Sequence, residues 1–400
     1  MSVVAAKGFV AGGMACGIKE SGAPDLAIVA TADGQTVAAA GTFTTNLCQA
    51  APVQISRRHL NDGRAAAVVL NSGNANAATG EAGRVHALRM TKLTATGLGI
   101  RPNDVLVCST GLIGIPMPFD SIEQGIPQLT QQLGGTEPHG AAAATAILTT
   151  DTVRKEAVAS ANLDGVSVTI GGMAKGAAML SPAMATMLCV ITTDAAVDQH
   201  VLQQALAAAV SDSFDCVDVD GARSTNDTVL ILANGLAGNP TIVATIGDAY
   251  AHFVAALTEV CCSIAEQMAR DAEGATKFAR VTVQGARSKH DAKLAARGIT
   301  KSQLVQCSLY GADPYWGRVI SECGASGAYF DPEQVTITYQ GIVNCRNGIA
   351  AEHDTKRLDE LMQNSDIEIL VDLGTGGHGT HTMLTTDLAP GYIDENMRTS

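Results

Sequence analysis

The sequence has few charged and few aromatic residues. Of its 400 residues, 16% are charged and 4% are aromatic, with a single tryptophan, Trp316. Because soluble domains are usually about a quarter charged, much of the surface is expected to be packed against the chain itself or against a second copy. No run of about 18 apolar residues occurs, which argues against a membrane-spanning helix. The hydrophobic share of 46% excludes a disordered chain.

Positive charge is also scarce. The net charge is −13, and the lysines and arginines are scattered rather than clustered. A nucleic-acid partner is therefore not expected, since binding a phosphate backbone requires a basic face. The first ten residues lack the basic start and apolar run of a signal peptide, so we expect a cytoplasmic protein.

Short apolar runs joined by Gly, Asn and Thr turns predict a mixed α+β fold with antiparallel strands. The predicted strands are 25–31, 36–43, 65–70, 105–108, 156–160, 166–170, 186–192, 279–284, 335–339 and 367–373. The predicted helices are 80–96, 121–133, 247–271 and 288–298. A break near 280–300 would divide a larger body, 1–280, from a smaller C-terminal domain, 281–400.

Two motifs near the C-terminus do not support their usual functions. Gly374, Gly376 and Gly379 form a G-x-G-x-x-G, but only 21 residues follow, too few for a dinucleotide-binding βαβ unit. His378 and His381 have no third ligand at a supporting spacing, so no metal site is predicted. A glycine-rich turn is the expected structure.

The segment 175–188 has the sequence KGAAMLSPAMATML. It is apolar and rich in methionine, with one lysine, Lys175. From composition alone, a buried turn before a strand is the favoured interpretation, with the methionines filling the core.

This segment resembles the self-cleavage site of the ornithine acetyltransferase family, also called glutamate N-acetyltransferases. Further blocks match that family in order along essentially the whole chain. They are GTFTTN (41–46), AAPV (50–53), NSGNAN (71–76), STGLIG (109–114), TTDT (149–152), STNDT (224–228), DAEGATK (271–277), DPYWGR (313–318) and YIDEN (392–396).

The resemblance implies self-cleavage between Ala185 and Thr186, giving an α chain of 1–185 and a β chain of 186–400. Thr186 would then be an N-terminal nucleophile, whose α-amine, with a reference pKa of about 7.7–8, serves as its own base. Thr186 would take acetyl from N-acetylornithine and pass it to glutamate. The Thr110 hydroxyl and the Gly111 N–H would form the oxyanion hole.

The same resemblance assigns substrate-binding residues. Lys175 would suit the substrate carboxylate and Glu273 the side-chain amine. Because the tail is one residue shorter than is usual in the family, either Ser400 or Thr399 would make its last contact. The full set is Thr149, Lys175, Thr186, Glu273, Asn396 and Ser400.

The resemblance also implies a layered α/β sandwich with mixed and antiparallel sheets, similar to N-terminal-nucleophile enzymes, with a smaller C-terminal α/β domain. We expect no cofactor or metal, acetyl-CoA as a possible second donor, and an α₂β₂ assembly. Three alternatives stay open at this point: an amidohydrolase with the same nucleophile, a paralogue of secondary metabolism acting on related N-acyl amino acids, and an unprocessed scaffold.

Overall fold

A computed structural model describes residues 2–181 and 187–397. The described strands are β1 Phe9–Met14, β2 Leu26–Thr31, β3 Val37–Phe43, β4 Arg64–Ala65, β5 Ala67–Asn71, β6 Val105–Ser109, β7 Lys155–Leu163, β8 Val166–Lys175, β9 Leu188–Thr193, β10 Thr228–Ala233, β11 Phe278–Ala286, β12 Thr336–Tyr339, β13 Ile342–Arg346, β14 Ile349–Ala350, β15 Asp366–Asp372 and β16 Gly379–Thr386. The described α-helices are α1 Ala51–His59, α2 Gly80–Leu98, α3 Phe119–Thr130, α4 Glu137–Ala146, α5 Gln199–Ser211, α6 Asp248–Arg270, α7 Lys289–Thr300, α8 Gln303–Tyr310, α9 Trp316–Ala325, α10 Thr355–Leu361 and α11 Pro390–Asn396.

Three sheets organise these elements. A four-stranded sheet has the order β1-β2-β5-β6, and a six-stranded sheet the order β4-β3-β10-β9-β8-β7. A second six-stranded sheet has the order β14-β13-β12-β15-β11-β16. Each sheet contains one parallel pair of strands, and its other pairs are antiparallel. In the first six-stranded sheet, β7, β8 and β9 are consecutive antiparallel neighbours. The predicted α+β class with mixed sheets is confirmed.

The long helix α6 packs against β7 and β8 in the sheet β4-β3-β10-β9-β8-β7, which is called the central sheet below. In the sequence, Phe253, Leu257, Val260, Ile264 and Met268 follow the i, i+4, i+7 spacing that predicts one buried helix face, and all five are buried. The same hydrophobic cluster includes residues of β8, β9, β10 and α5, so the middle of this sheet lies inside the core. The strands β8, β9 and β10 are therefore packed within this core, and the residues of the candidate site lie at their ends.

The third sheet begins at β11, and its hydrophobic cluster runs from Ala279 to Met383. The predicted boundary at 280/281 falls inside β11, and the division into two domains stays a prediction. Gly374 and Gly376 adopt positive φ in the turn between β15 and β16. A strand, not a helix, follows that turn, as the rejection of the dinucleotide motif requires.

Most predicted strands and helices coincide with observed elements to within a few residues. Strands β1, β10, β13, β14 and β16 were not predicted from the sequence, nor were α1, α4, α5 and the helices α8 to α11. Among the residues described, no helix has both the length and the apolarity needed to cross a membrane.

Candidate active site

The segment with the expected cleavage bond connects two antiparallel neighbours, β8 and β9. Lys175 at the end of β8 pairs directly with Leu188 at the start of β9. The two ends of the connection are therefore neighbours at the same edge of the sheet. Ala185 and Thr186 lie outside the described residues. Met187, which follows them, is buried. The site can therefore be defined from the residues that surround this place.

Asp227 and Thr228 fix the backbone of Met187. The Met187 N–H donates to Asp227 Oδ1 at 3.2 Å, and the Met187 carbonyl accepts from the Thr228 N–H at 3.0 Å. Asp227 is fully buried. Burial raises the pKa of its carboxyl well above the ordinary value, and the hydrogen bond from Met187 offsets only part of this effect. An ionisable group thus lies beside the first described residue after Thr186.

Thr110 and Gly111 form a turn directly after β6. Gly111 has φ +131°, and a Cβ there would lie 2.5 Å from the Asn74 nitrogen, so the turn requires glycine. The Thr110 N–H donates to the Asn71 carbonyl at 3.0 Å. Within the described ranges, neither the Gly111 N–H nor the Thr110 hydroxyl donates a hydrogen bond. Among the described residues both donors are thus unpaired, which the oxyanion hole implied by the resemblance would require.

Asn226 connects the turn after β6 to Asp227, the hydrogen-bond partner of Met187. Its Nδ2 donates to the Ser109 carbonyl at 2.8 Å and to the Ala75 carbonyl at 2.6 Å. Since Asn226 directly precedes Asp227 in the chain, the turn after β6 and the Met187 backbone are held by consecutive side chains. Neither Asn226 nor Asp227 was among the candidates from the sequence.

Asp151 lies between two lysines. Its carboxylate is 2.6 Å from the Lys155 ammonium and 3.7 Å from the Lys175 ammonium, and all three side chains are buried. It also accepts the N–H groups of Thr149 at 3.0 Å and Gly176 at 2.7 Å. Burial alone would raise the pKa of Asp151, but Lys175 and Lys155 lower it well below the ordinary value. Asp151 therefore brings Thr149 and Lys175 together. These two residues were candidates from the sequence, whereas Asp151 was not.

Two more charged residues border this cluster. The Asp271 carboxylate accepts from Lys155 and from the Thr152 N–H. The Lys19 ammonium donates to the Leu148 carbonyl at 2.7 Å, and burial lowers its pKa. Lys19 thus places a third ammonium group close to this cluster, in addition to Lys155 and Lys175, although nothing in its sequence surroundings marks it.

Glu273 and Asn396 meet at the far side of the loop. The Asn396 Nδ2 donates to Glu273 Oε2 at 2.8 Å, and the Glu273 N–H donates to the Ala177 carbonyl at 2.9 Å. The C-terminal tail packs so closely against Gly274 that a Cβ on Gly274 would collide with the backbone of Gly391 and Tyr392. The residues 398–400, and so Thr399 and Ser400, lie outside the described residues.

The described site residues thus surround the two ends of the 176–187 loop. Of the missed residues, Asp151 belongs to the TTDT block, and Asn226 and Asp227 belong to the STNDT block. In both blocks an acidic residue next to a buried strand was an available signal. Within the described ranges no cluster of three His, Cys, Asp or Glu residues suits a metal.

Comparisons with known proteins match nearly the whole chain. The sequence model of the ArgJ family matches residues 10–399. The arginine biosynthesis bifunctional protein ArgJ of Streptomyces coelicolor is 44% identical over 396 residues, which are 99% of each chain. The protein of the same name from Symbiobacterium thermophilum is 45% identical over 94% of this chain and 92% of its own. A solved structure of ornithine acetyltransferase complexed with ornithine, from Mycobacterium tuberculosis, is 39% identical over 47% of this chain and 96% of its own, with a TM-score of 0.41.

Proposed function

The chain belongs to the ArgJ family of arginine biosynthesis enzymes, and from this premise we propose that it moves acetyl from N-acetyl-L-ornithine to L-glutamate through an acetyl-threonine on Thr186. The observation that carries the proposal is the convergence of five separate sequence blocks around one loop. The blocks around positions 150, 226 and 273 form hydrogen bonds with Gly176, Met187 and Ala177 at the two ends of the loop. The blocks around positions 110 and 396 are joined to these through Asn226 and Glu273.

The first step would be self-cleavage. The Thr186 hydroxyl attacks the Ala185 carbonyl, and water hydrolyses the resulting ester. Thr186 then has a free α-amine with a reference pKa of about 7.7–8, so a useful fraction is neutral near pH 7 and can take the hydroxyl proton.

Acetyl transfer would follow in two half-reactions. Thr186 takes the acetyl group and ornithine leaves; the α-amine of glutamate then attacks the acetyl-threonine. Each tetrahedral intermediate carries an oxyanion, for which the free donors of Thr110 and Gly111 are suited. Removing one such donor typically costs 10²–10³-fold in kcat, which is roughly 3–4 kcal/mol.

The charges around the loop suit amino-acid substrates. Lys175 is proposed to meet the α-carboxylate while Asp151 orients it. Glu273, hydrogen-bonded to Asn396, is proposed to meet the side-chain amine of ornithine. Thr149 and either Ser400 or Thr399 would complete the contacts.

The proposal includes a cytoplasmic enzyme that needs no cofactor and assembles as α₂β₂. Since the relatives are named bifunctional, acetyl-CoA is the second acetyl donor to test. Native mass spectrometry tests the assembly, with a mass of twice the 41.0 kDa chain expected.

Self-cleavage is tested by denaturing electrophoresis with mass spectrometry. The wild type is expected as two chains divided between Ala185 and Thr186, Thr186→Ala as one intact inactive chain, and Thr186→Ser as a cleaved chain because it keeps a hydroxyl. An intact wild type, or normal activity in Thr186→Ala, would contradict the mechanism.

The acetyl acceptor is tested with N-acetylornithine and labelled glutamate. Labelled N-acetylglutamate is the expected product. Release of acetate without it would instead identify an amidohydrolase, and transfer to other amino acids a paralogous acyltransferase. A parallel reaction with acetyl-CoA and glutamate alone decides whether the enzyme has both activities.

A further inference from the structure

Lys19 is a partly buried cation that forms no ion pair with any described residue. Its ammonium donates to two backbone carbonyls, that of Pro24 at 2.8 Å and that of Leu148 at 2.7 Å. An ammonium has three N–H donors, so one of them has no acceptor among the described residues. Taking a charge out of water costs free energy unless an opposite charge compensates for it. An anion bound beside Lys19 would supply that compensation.

The loop between β1 and β2 holds the backbone of Lys19 in place. The buried Asp25 carboxylate accepts four consecutive backbone N–H groups, those of residues 16 to 19, at 2.7, 3.2, 2.7 and 3.0 Å. These hydrogen bonds fix the backbone from which the Lys19 side chain extends. The ammonium is therefore preorganised, which reduces the entropy that is lost when it binds a ligand.

Lys19 contacts the segments on two sides of the candidate site. A Cβ on Gly73 would lie 3.1 Å from Lys19 Cγ, and a Cβ on Gly111 would lie 2.3 Å from the Gly73 carbonyl carbon. The stem of the lysine thus packs against the residue that supports the turn after β6. Its ammonium reaches the other side, at the carbonyl of Leu148, the residue before Thr149.

The charges near Lys19 favour an anion. The carboxylates of Asp25 and Asp151 attract its ammonium without contacting it, whereas the Lys175 ammonium repels it, and burial lowers its pKa. Lys175 is 3.7 Å from Asp151, but that carboxylate is already 2.6 Å from the Lys155 ammonium. Two neighbouring ammonium groups therefore share little negative charge, and a bound carboxylate would be attracted by both.

The location of Lys19 also agrees with the shape of the proposed substrate. In N-acetylornithine only the α-nitrogen and the α-carbon separate the acetyl carbonyl from the α-carboxylate, a span of about 4 Å. When the acetyl oxygen is at the donors of Thr110 and Gly111, the α-carboxylate must therefore lie close to the turn after β6. A cation that extends from Gly73 to Leu148 suits that position.

We propose that the Lys19 ammonium, together with Lys175, binds the α-carboxylate that N-acetylornithine and glutamate share. This inference rests on the proposed acetyl transfer, and it makes Lys19 a determinant of specificity for α-amino acids over their α-amides. The same cation serves both half-reactions, since donor and acceptor carry the carboxylate on the carbon next to the reacting nitrogen.

The test measures kcat/KM of the purified, self-cleaved enzyme for N-acetylornithine and for its α-carboxamide, with glutamate as the acceptor. In a two-step transfer this constant reports on the donor half-reaction alone, and the ratio of the two values is the discrimination for the carboxylate. Lys19→Met keeps the stem against Gly73 but removes the charge. We expect it to lower the discrimination about 10-fold to 100-fold, as for the loss of a hydrogen bond between charged groups. An unchanged ratio would overturn the proposal, because a structural role would lower both values equally.

Lys277→Met is the matched control. The Lys277 ammonium also donates to two backbone carbonyls, that of Met362 at 2.7 Å and that of Asn364 at 2.9 Å, just beyond the end of α10. We expect this variant to keep the wild-type discrimination. A fall equal to that of Lys19→Met would show that the ratio does not report on contact with the carboxylate, and the assignment of Lys19 would be lost.

Folding of Lys19→Met is measured by thermal unfolding and by the completeness of self-cleavage. If it does not fold, Lys19→Gln takes its place, because its amide can still donate to a carbonyl, and the same fall in discrimination is expected. If the α-carboxamide is turned over too slowly, the inhibition constants of ornithine and ornithine α-amide give the ratio instead. A wild type that forms no N-acetylglutamate would mean that the proposed function has failed, whereas normal transfer with an unchanged ratio in Lys19→Met would mean that only this inference has.

Discussion

At the scale of single residues, the turn after β6 depends on the absence of a side chain. Gly111 has φ +131° and faces the backbone of Gly73 and Asn74 without room for a Cβ. The Thr110 N–H is meanwhile used within the turn, by the Asn71 carbonyl. The position of the Gly111 N–H therefore depends on a backbone conformation that other residues rarely adopt.

We predict that Gly111→Ala lowers kcat by at least about 100-fold, because the methyl group displaces the Gly111 N–H from the oxyanion position. Steady-state kinetics of the purified enzyme measure the effect. Gly114→Ala is the control: it lies in the same connection with φ +80°, but nothing is within 4 Å of its added Cβ. Equal loss in both variants would show that positive φ, not the close approach to Asn74, is responsible.

At the scale of elements, the short helix α11 brings the tail to the loop between β8 and β9. The Tyr392 hydroxyl donates to Asp220 Oδ2 at 3.3 Å, and the same oxygen accepts the Met179 N–H at 2.6 Å. Burial, and then the nearby Asp220 carboxyl, raise the pKa of Tyr392 to about 12, so the hydroxyl remains a donor at neutral pH. One carboxyl thus joins the tail to the segment before the expected cleavage bond.

We predict that Tyr392→Phe raises the KM for N-acetylornithine several-fold while self-cleavage stays complete, since the lost hydrogen bond is worth about 1–2 kcal/mol. Tyr310→Phe, at an exposed ring, is the control. An unchanged KM in Tyr392→Phe would show that α11 keeps its place without this bond.

At the scale of the whole molecule, the central sheet interleaves the two expected chains. Strands β9 and β10, from the part after 186, lie between β3 and β8, from the part before it. Six residue pairs join β8 to β9, and six more join β10 to β3. The hydrophobic cluster around α5 and α6 also contains residues from both parts. Cleavage would therefore leave one continuous core.

We expect the cleaved enzyme to elute as a single species in native size exclusion and to unfold in one cooperative transition with a Tm close to that of uncleaved Thr186→Ala. The physical reason is that the broken bond lies in a connection while the hydrogen bonds and apolar burial across the sheet persist. Separation of the two chains without denaturant would contradict this expectation.

The helix α6 shows what the sequence by itself determined. Its apolar spacing predicted the buried face correctly, because helical periodicity is a local property of the chain. The helix predicted at 288–298 was likewise found, as α7, and the hydroxyl of Ser288 before it accepts from the Asp291 N–H at 3.1 Å. The family blocks also determined which residues to examine, since their order along the chain is itself part of the sequence.

Only the tertiary structure decided how distant charges are paired. Lys175 and Asp151 are 24 positions apart, and Asp227 is 40 positions from Met187. No local pattern encodes these contacts, because the first depends on β7 pairing with β8 and the second on β9 pairing with β10 in the same sheet. That pairing buries the charges together, and the pKa values of Asp151 and Asp227 shift in opposite directions. At Asp151 two lysines outweigh the effect of burial and lower the pKa, whereas at Asp227 burial prevails and raises it.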